Sequence, residues 1–249
     1  MEFQDKVVIV TGGASGMGAA SSRLFAGEGA RVVVVDRQAE LARQVAAEIG
    51  GVAIAGDVSQ SAFCEAVVEQ TVGQFGRLDA VVNAAGIIVR ARGEDTTDEA
   101  WNRIMGVNVS GTFFMCRAAI KAMKAAPSPG GAIVNFGSIW GDLGASGVAA
   151  YCASKGAVHN LTRALALDHA KDGIRVNAVC PGEVNTPMIQ SERSEPVNPE
   201  LMQRLADSVP MGRLADPGEI AQMVVFLASG RASYMTGSLV LVDGAFAAR

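Results

Sequence analysis

The stretch VVIVTGGASGMG at residues 7–18 decides the fold of this chain. Its four leading aliphatic residues predict a short strand that is buried on both faces. Gly12, Gly16 and Gly18 then allow a tight turn and a close approach of the backbone to a phosphate group. The residues after the turn open a helix, whose N-terminus offers free N–H groups and a positive dipole end to an anion. The stretch therefore predicts a strand, a phosphate-binding loop and a helix in succession.

The remainder of the chain repeats this alternation of short apolar runs and longer helical stretches. The strand-like runs are Val7–Val10, Val32–Val35, Val52–Ala55, Ala80–Val82, Ala132–Phe136, Ile174–Val179 and Leu239–Val242. The helix-like stretches are Met17–Glu28, Ala39–Ile49, Ser61–Phe75, Asp98–Ala126, Ala149–Lys171 and Pro217–Ala228. Most of the strand-like runs are continuously apolar, which is typical of a parallel sheet covered by helices on both faces. We therefore predict an α/β fold with a seven-stranded parallel sheet in one domain, residues 1–249.

The composition argues against several classes of protein. Hydrophobic residues make up 49% of the chain and charged residues 18%, which is too apolar for a disordered protein. The net charge of −4 argues against a nucleic-acid binder. No apolar run reaches the length of about 20 residues that a membrane span needs. The four cysteines are scattered without a Cys-x-x-Cys pair, so no metal site is expected. With no secretory signal pattern at the N-terminus, we expect a cytoplasmic protein.

One segment interrupts the alternation. Residues 188–209 read MIQSERSEPVNPELMQRLADSV and mix charges, serines and two prolines with a short helical patch. The segment comes shortly after Pro181 and Gly182, which end a predicted strand. It is interpreted either as a surface excursion or as a mobile lid, since long irregular segments in compact domains are often functional. We predict a lid over a substrate site.

An acidic residue follows the phosphate loop at the distance that dinucleotide-binding folds use. Asp36 ends the second predicted strand, 18 residues after Gly18. A carboxylate there accepts hydrogen bonds from both ribose hydroxyls of an adenosine and repels a 2′-phosphate. Ser15 adds no positive charge to the loop, although the neighbouring Arg37 could turn toward a phosphate. The pattern favours NAD over NADP as the cofactor.

Tyr151 and Lys155 open a helical stretch, and their spacing of four residues places them on one face of it. A phenol with a pKa of about 10 is a poor acid–base catalyst at neutral pH. A neighbouring ammonium lowers that pKa, so the phenol can exchange a proton with an alcohol. A Tyr-x-x-x-Lys pair also occurs by chance, and the alternative is a surface tyrosine stacked on a lysine stem.

Three neighbours favour the catalytic interpretation. Ser138 follows the fifth predicted strand, where its hydroxyl can hold a substrate oxygen. Asn108 lies inside a long helical stretch, an unfavourable place for asparagine unless its amide is used. The residues NAAG at 83–86 follow the fourth strand. We expect all three at or just beyond the carboxyl ends of strands, where open parallel sheets bind ligands.

Together these motifs resemble those of the short-chain dehydrogenase/reductase family, and the resemblance extends from Lys6 to Gly244. The matching segments are TGGASGMG at 11–18, Asp57-Val58, NAAG at 83–86, Asn108, Ser138, YCASK at 151–155 and IRVNAVCPG at 174–182. The resemblance implies a single-domain Rossmann fold, hydride transfer between NAD(H) and a secondary alcohol or ketone, and a homotetramer. The chain departs from the family pattern at Gly244-Ala245, where a double glycine is usual, and in NAAG, where NNAG is commoner.

The resemblance implies a role for each catalytic candidate. Tyr151 is the acid–base group, and Lys155 lowers its pKa and binds the nicotinamide ribose. Ser138 orients and polarises the substrate carbonyl. Asn108 supports a water in a proton relay.

The resemblance also extends the cofactor site along the chain. Asp57 and Val58 match residues that contact the adenine, and Asn83 matches one beside the adenine ribose. Thr186 matches a contact to the nicotinamide amide. The cofactor-binding candidates are Gly12, Ser15, Gly16, Met17, Gly18, Asp36, Arg37, Asp57, Val58, Asn83, Ala84, Gly86, Tyr151, Lys155, Pro181, Gly182, Val184 and Thr186.

The substrate is less sharply defined by the sequence. The segment GIIVR at 86–90 resembles that of sugar-acid and polyol dehydrogenases of the family, and Arg90 suits an anionic group near a pocket mouth. The alternative for Arg90 is an exposed charge at a subunit contact. Ser138 and Tyr151 are substrate candidates by their roles, and Trp140, Met188 and Glu183 are candidates for the pocket wall. Trp140 has packing in the core or an interface as its alternative.

Two other functions stay open. A 3-oxoacyl-thioester reductase has a similar length and motif set, but such enzymes usually prefer NADP, which Asp36 disfavours. A dinucleotide-sensing scaffold would bind the cofactor without turnover, and the intact Ser138, Tyr151 and Lys155 speak against it. We expect a small-molecule alcohol or ketone as the partner, with neither nucleic acid nor membrane.

Overall fold

A sheet of parallel strands lies at the centre of this computed structural model, which describes residues 1–193 and 196–248. Its strands are β1 (Val7–Thr11), β2 (Arg31–Asp36), β3 (Val52–Ala55), β4 (Ala80–Asn83), β5 (Gly131–Phe136), β6 (Ile174–Pro181) and β7 (Leu239–Val242). Their order across the sheet is β3-β2-β1-β4-β5-β6-β7, and every neighbouring pair is parallel. Each predicted apolar run forms a strand, so the seven-stranded parallel sheet is confirmed.

Helices cover both faces of the sheet. The α-helices are α1 (Gly16–Gly27), α2 (Ala39–Ile49), α3 (Ser61–Phe75), α4 (Asp98–Met105), α5 (Thr112–Ala125), α6 (Ala149–His169), α7 (Pro199–Ser208) and α8 (Pro217–Ala228). Short 3-10 turns lie at Gly93–Asp95, Ile139–Gly141, Ala170–Asp172, Pro187–Ile189, Gly230–Ala232 and Phe246–Ala248. Helices α1, α2 and α8 bury one face around Phe25 and Val224, and α3, α5 and α6 bury the other around Val67 and Met115. Within the described ranges, no helix is long and apolar enough to cross a membrane.

The order of the strands reverses at β1, and this reversal positions the site. Thr11 at the end of β1 lies opposite Val35 of β2 on one side and Asn83 of β4 on the other. The loops after β1 and β4 therefore leave the sheet side by side. The N–H of Ala84 donates to the carbonyl of Thr11 at 3.1 Å, and the N–H of Ala85 donates to its hydroxyl at 3.3 Å. Such a switch point opens a crevice at the carboxyl ends of the strands.

The long helix predicted over residues 98–126 is interrupted in the middle. A π-helical turn at Gly106–Gly111 separates α4 from α5 and contains Asn108. A Cβ on Gly111 would lie 2.9 Å from Cγ2 of Val58, so α5 begins in close contact with the loop after β3. Such turns inside helices are frequent at functional sites. The glycines that flank Asn108 are the sequence signal for the interruption.

The predicted lid is more regular than its sequence indicates. It begins in the 3-10 turn Pro187–Ile189 and ends in helix α7. Arg103 of α4 pairs with Glu192 of this segment at 2.8 Å, which ties the segment to the helical layer. Residues 194 and 195 of the predicted lid lie outside the described residues.

The C-terminal turn places a side chain where the backbone favours glycine. Gly244 and Ala245 both have positive φ, +60° and +70°. The left-handed region costs a residue with a Cβ about 1–2 kcal/mol. Asp243 fixes the turn, since its two carboxylate oxygens accept hydrogen bonds from the N–H groups of Ala245 at 3.0 Å and Ala247 at 2.8 Å. Both positions of the usual double glycine therefore require a positive φ, and Ala245 adopts it with backbone strain.

Replacing Ala245 by glycine should stabilise the protein by about 0.5–1 kcal/mol. Glycine adopts a positive φ without strain, and its larger freedom in the unfolded chain offsets part of the gain. Chemical denaturation measures the difference. Ala247→Gly is the matched control, because Ala247 is not among the positive-φ residues and should lose stability on the same change. A loss of stability in Ala245→Gly would contradict the prediction.

Candidate active site

The loop after β1 is folded so tightly that two of its glycines exclude any side chain. A Cβ on Gly18 would lie 2.1 Å from the carbonyl oxygen of Gly12, and one on Gly12 would lie 2.7 Å from the backbone of Ala85. Gly12 and Gly16 also have positive φ, +63° and +50°. The loop therefore presents backbone to the crevice at the N-terminus of α1, where free N–H groups bind phosphate.

Asp36 is buried at the end of β2, beside this loop. Its Oδ2 accepts a hydrogen bond from the N–H of Ala14 at 3.2 Å, and its Oδ1 accepts one from the N–H of Gln38 at 3.0 Å. These bonds fix the carboxylate and leave a further lone pair on each oxygen for a ribose hydroxyl. Arg37 lines the same crevice.

A cavity of about 270 Å³ lies over the glycine loop. The predicted cofactor residues that line it are Gly12, Ser15, Gly16, Met17, Gly18, Asp36, Arg37, Asp57, Val58, Ala84, Gly86 and Thr186. The loop where no Cβ fits suits a phosphate group, and the anchored carboxylate of Asp36 suits a ribose. The residues present therefore fit a dinucleotide whose adenosine ribose carries no 2′-phosphate.

A second cavity of about 140 Å³ adjoins the first and is lined by Ser138, Tyr151 and Lys155. The cofactor candidates Pro181, Gly182 and Val184 line only this cavity. The residues that line both cavities are Met17, Ala84, Gly86, Thr186 and Met188. Its volume is below the roughly 300–1,000 Å³ of pockets for drug-sized ligands, so it suits a small substrate. In the part of the chain that the structure describes, no cluster of three or more His, Cys, Asp or Glu side chains is placed to hold a metal ion.

Burial governs the two acid–base groups of this cavity. The Nζ of Lys155 donates to the carbonyl of Phe136 at 2.7 Å and lies 5.6 Å from the centroid of the Tyr151 ring. Burial raises the pKa of the Tyr151 phenol to about 12, and a hydrogen bond with Ser138 opposes this rise. Burial lowers the pKa of the Lys155 ammonium to about 8. The structure thus differs from the sequence-based expectation of a lowered phenol pKa, because desolvation outweighs the neighbouring groups and the ammonium donates to a carbonyl.

Comparisons with known proteins agree with this geometry. A family model described as enoyl-(acyl carrier protein) reductase matches residues 12–246. The chain is 44% identical over 249 residues to cyclopentanol dehydrogenase of Comamonas sp. (strain NCIMB 9872), and the match covers 98% of each chain. The chain belongs to the short-chain dehydrogenase/reductase family.

Two further members of the short-chain dehydrogenase/reductase family match over nearly the whole chain. Meso-2,3-butanediol dehydrogenase of Serratia marcescens is 39% identical over 247 residues, which cover 98% of this chain and 95% of the relative. The crystal structure of 3-ketoacyl-(acyl-carrier-protein) reductase from Brucella melitensis complexed with NADH superimposes with a TM-score of 0.90 at 37% identity. That superposition covers 98% of each chain, so the sheet and the helical layers are shared throughout.

Asn108 acts on the backbone beside the cavities and lines neither of them. Its Oδ1 accepts a hydrogen bond from the N–H of Ile87 at 2.8 Å, and its Nδ2 donates to the carbonyl of Ile87 at 2.9 Å. The same Nδ2 lies 3.0 Å from Oγ of Ser154, which is the residue before Lys155. The amide therefore joins the loop after β4 to helix α6, which explains why a polar residue is buried in the π-helical turn.

Asn83 is placed differently from its predicted role beside the adenine ribose. Its side chain is buried and donates to Oδ1 of Asn135 at 2.9 Å and to Sγ of Cys116 at 3.2 Å. Asn135 in turn donates to the hydroxyl of Thr162 at 2.9 Å. Asn83 lines neither cavity, because its amide joins a polar network inside the sheet and the α5–α6 layer. The sequence places Asn83 correctly at the end of β4, but the direction of its side chain depends on partners far along the chain.

His159 of α6 packs against the loop that carries Ser138, and sequence reasoning missed it. Its Nε2 accepts a hydrogen bond from the N–H of Ser138 at 3.3 Å, and its Nδ1 lies 3.2 Å from Oδ1 of Asp142. A Cβ on Gly137 or Gly141 would lie 2.5 Å or 2.3 Å from the imidazole. The ring therefore fills the space that these glycines leave and fixes the backbone of Ser138. The two glycines around Ser138 are the sequence signal for such a residue.

The substrate candidates Arg90, Trp140 and Met188 all line the second cavity, as does Glu183. The Trp140 ring also packs edge-on against Phe246, with 5.2 Å between ring centroids, so the C-terminal turn supports this wall. Sequence reasoning missed two further lining residues of the predicted lid segment, Arg193 and Leu205. Their sequence context is charged and irregular, and only the folded path of the segment brings them to the cavity.

Stability should depend on pH through His159. Burial lowers the pKa of this imidazole below its usual value of about 6.5. As the pH falls below about 6.5, the unfolded chain binds a proton that the folded imidazole resists, so the free energy of unfolding falls. Denaturation at pH 7.0 and 5.5 should show the wild type losing more stability than His159→Gln, by at most about 1 kcal/mol. Equal losses in the wild type and His159→Gln would refute the assignment.

Proposed function

We propose that this chain is an NAD-dependent oxidoreductase that transfers a hydride between the nicotinamide and a small secondary alcohol or its ketone. One observation carries the proposal: Ser138, Tyr151 and Lys155 line one small cavity that shares a wall with the crevice over the glycine loop. The names of the relatives, cyclopentanol dehydrogenase and meso-2,3-butanediol dehydrogenase, support chemistry at a CH–OH group.

The cofactor proposal rests on the first cavity. The glycine loop and the N-terminus of α1 would hold the pyrophosphate, and Asp36 would hold the adenosine ribose. Asp57 and Val58 line the same cavity and would flank the adenine. When bound, NAD supplies the acceptor for the hydride, and NADH supplies its donor. The NADH complex of the structural relative supports this choice.

In the proposed chemistry, Tyr151 exchanges the proton of the substrate oxygen and Ser138 holds that oxygen. In the reductive direction the phenol donates its proton to the forming alkoxide. An ammonium with a pKa of about 8 is a stronger acid than a phenol with a pKa of about 12, so Lys155 readily returns a proton to the phenolate. In the oxidative direction the same groups work in reverse. The relay water that the family resemblance assigns to Asn108 would lie outside both cavities, and the amide of Asn108 would act mainly by holding the loop after β4 against helix α6.

Two alternatives are separated by experiment. A 3-oxoacyl-thioester reductase is supported by the structural relative, and it would reduce short 3-oxoacyl thioesters faster than simple ketones. A dinucleotide-sensing scaffold would bind NADH and turn over neither class. A screen of NADH oxidation with ketones, diketones and 3-oxoacyl thioesters, together with alcohol oxidation by NAD, decides among the three.

We also propose that the chain forms one catalytic unit over residues 1–249 and assembles as a homotetramer in the cytoplasm. Leu167, Tyr234 and Leu241 support assembly, because these large side chains keep 83%, 103% and 51% of their surface exposed. The free cysteines Cys64, Cys116, Cys152 and Cys180 support a reducing compartment. Light scattering of the purified protein tests the assembly.

The segment 188–209 would serve as a lid over the substrate cavity.

Tyr151→Phe should lower kcat by about 10²–10⁴-fold, because it removes only the hydroxyl that exchanges the proton. Dinucleotide affinity, measured by titration, should be retained. Tyr234→Phe is the matched control, since Tyr234 is the other tyrosine of the chain and is fully exposed. If Tyr151→Phe kept more than about a tenth of wild-type kcat, another group would carry the proton.

The wild type should prefer NAD over NADP by tens-fold or more in kcat/KM, because a 2′-phosphate would meet the buried carboxylate of Asp36. Asp36→Ala should erode this preference and weaken NAD binding, since it also frees the N–H of Ala14. Arg37→Ala tests the opposite possibility, in which this guanidinium grips a phosphate. A wild type that works better with NADPH, and loses that activity in Arg37→Ala, would overturn the assignment.

A further inference from the structure

The substrate cavity holds more positive charge than the proposed chemistry uses. Besides Lys155, two arginines line it, Arg90 and Arg193. Among the residues that line it, one carboxylate faces these three cations, that of Glu183. Proton exchange between Tyr151 and a neutral alcohol requires no further cation. The surplus therefore calls for a ligand group of opposite charge.

Both arginines are held in position by the first turn of the segment 188–209. The Nε of Arg90 donates to the carbonyl of Ser191 at 3.1 Å, and one Nη donates to the carbonyl of Met188 at 3.4 Å. The Nε of Arg193 donates to the carbonyl of Ile189 at 2.7 Å. A guanidinium has five N–H donors. Within residues 1–193 and 196–248, three donors of Arg90 and four of Arg193 make no hydrogen bond to the protein.

Glu183 supplies one negative charge against the two positive charges of Arg90 and Arg193. Burial raises the pKa of its carboxyl, and Arg90 and Arg193 oppose the rise. The same burial lowers the pKa of Arg90, and the nearby charge of Arg193 lowers it further. The two guanidinium groups therefore repel each other in a partly buried wall, and an anion between them would relieve that repulsion.

We propose that the substrate is a small secondary alcohol that carries an anionic group, such as a hydroxy acid, and that Arg90 and Arg193 bind this group. This inference rests on the proposed function and adds the substrate class to it. Glu183 then acts as a specificity residue, because its negative charge competes with the substrate anion for the same two guanidinium groups.

The first test compares substrates that differ only in charge. 2-Hydroxypropanoate, 3-hydroxybutyrate and 4-hydroxypentanoate cover three distances between the alcohol and the carboxylate, and the neutral amide of each is its partner. A sulfonate, 2-hydroxypropane-1-sulfonate, separates recognition of a carboxylate from recognition of anions in general. With NAD, the best acid should exceed its amide by about 10- to 100-fold in kcat/KM, the range expected for one hydrogen bond to a charged group.

The second test changes the three charged residues. Arg193→Gln should lower the acid-to-amide ratio of kcat/KM by about tenfold or more, and Arg90→Gln should do the same. Glu183→Gln should raise this ratio, because it removes the competing carboxylate. Arg103→Gln is the matched control: Arg103 pairs with Glu192 of the same segment but lines neither cavity, so the ratio should stay at its wild-type value.

A binding measurement keeps the inference separate from turnover. Trp140 lines the cavity, whereas Trp101 lines neither cavity and is 42% exposed. In a Trp101→Phe background, Trp140 is the one remaining tryptophan, and its fluorescence reports on the site. Titration with 3-hydroxybutyrate and with its amide should show tighter binding of the acid, lost in Arg193→Gln. If no alcohol is oxidised, the proposed function fails while this titration still decides the anion site. The inference would be overturned if each amide equalled its acid in both kcat/KM and binding affinity. It would also be overturned if Arg193→Gln and Arg103→Gln lowered the acid-to-amide ratio equally.

Discussion

The contact between Gly18 and the carbonyl of Gly12 sets the positions of the groups at the carboxyl edge of the sheet. Because no side chain fits there, α1 starts directly after β1 and turns its N-terminus to the crevice. Gly12 also packs against Ala85, whose N–H is bonded to the hydroxyl of Thr11, so the loop after β4 is fixed by the same contact. Asn108 is hydrogen-bonded to that loop at Ile87 and to helix α6 at Ser154. One steric constraint therefore aligns the crevice over the glycine loop with the helix that carries Tyr151 and Lys155.

Burial is the second physical effect that shapes the site, and its sign depends on the group. It raises the pKa of the Tyr151 phenol and the Glu183 carboxyl, and it lowers the pKa of the Lys155 ammonium and the Arg90 guanidinium. In each case the neutral form gains, because a charged group loses its hydration. The cavity therefore favours ligands whose charge is opposite to that of its buried groups. For Lys155, the carbonyl of Phe136 replaces part of the lost hydration by accepting a hydrogen bond from the ammonium.

The sequence predicts most of this fold, since most strands are continuous apolar runs and the order of the glycine motifs is specific. It also predicts that Tyr151 and Lys155 share one helix face and that Ser138 lies at the carboxyl edge of the sheet, and the family resemblance implies that the three act together. The features it misses depend on contacts between distant parts of the chain. His159 and Ser138 are 21 residues apart, and Arg193 reaches the cavity only through the path of an irregular segment. The same holds for pKa values, which follow from the depth of burial that no local pattern encodes.

The packing of His159 against two glycines restricts how the Ser138 loop can change over evolutionary time. Any side chain at position 137 or 141 would overlap the imidazole, so a substitution at either position is viable only after residue 159 has become smaller. A smaller residue 159, however, gives up the acceptor for the N–H of Ser138. The three positions are thus epistatic: each single step leads through a less fit intermediate. As long as residue 159 is histidine, glycine at positions 137 and 141 leaves the imidazole its space on both sides of Ser138.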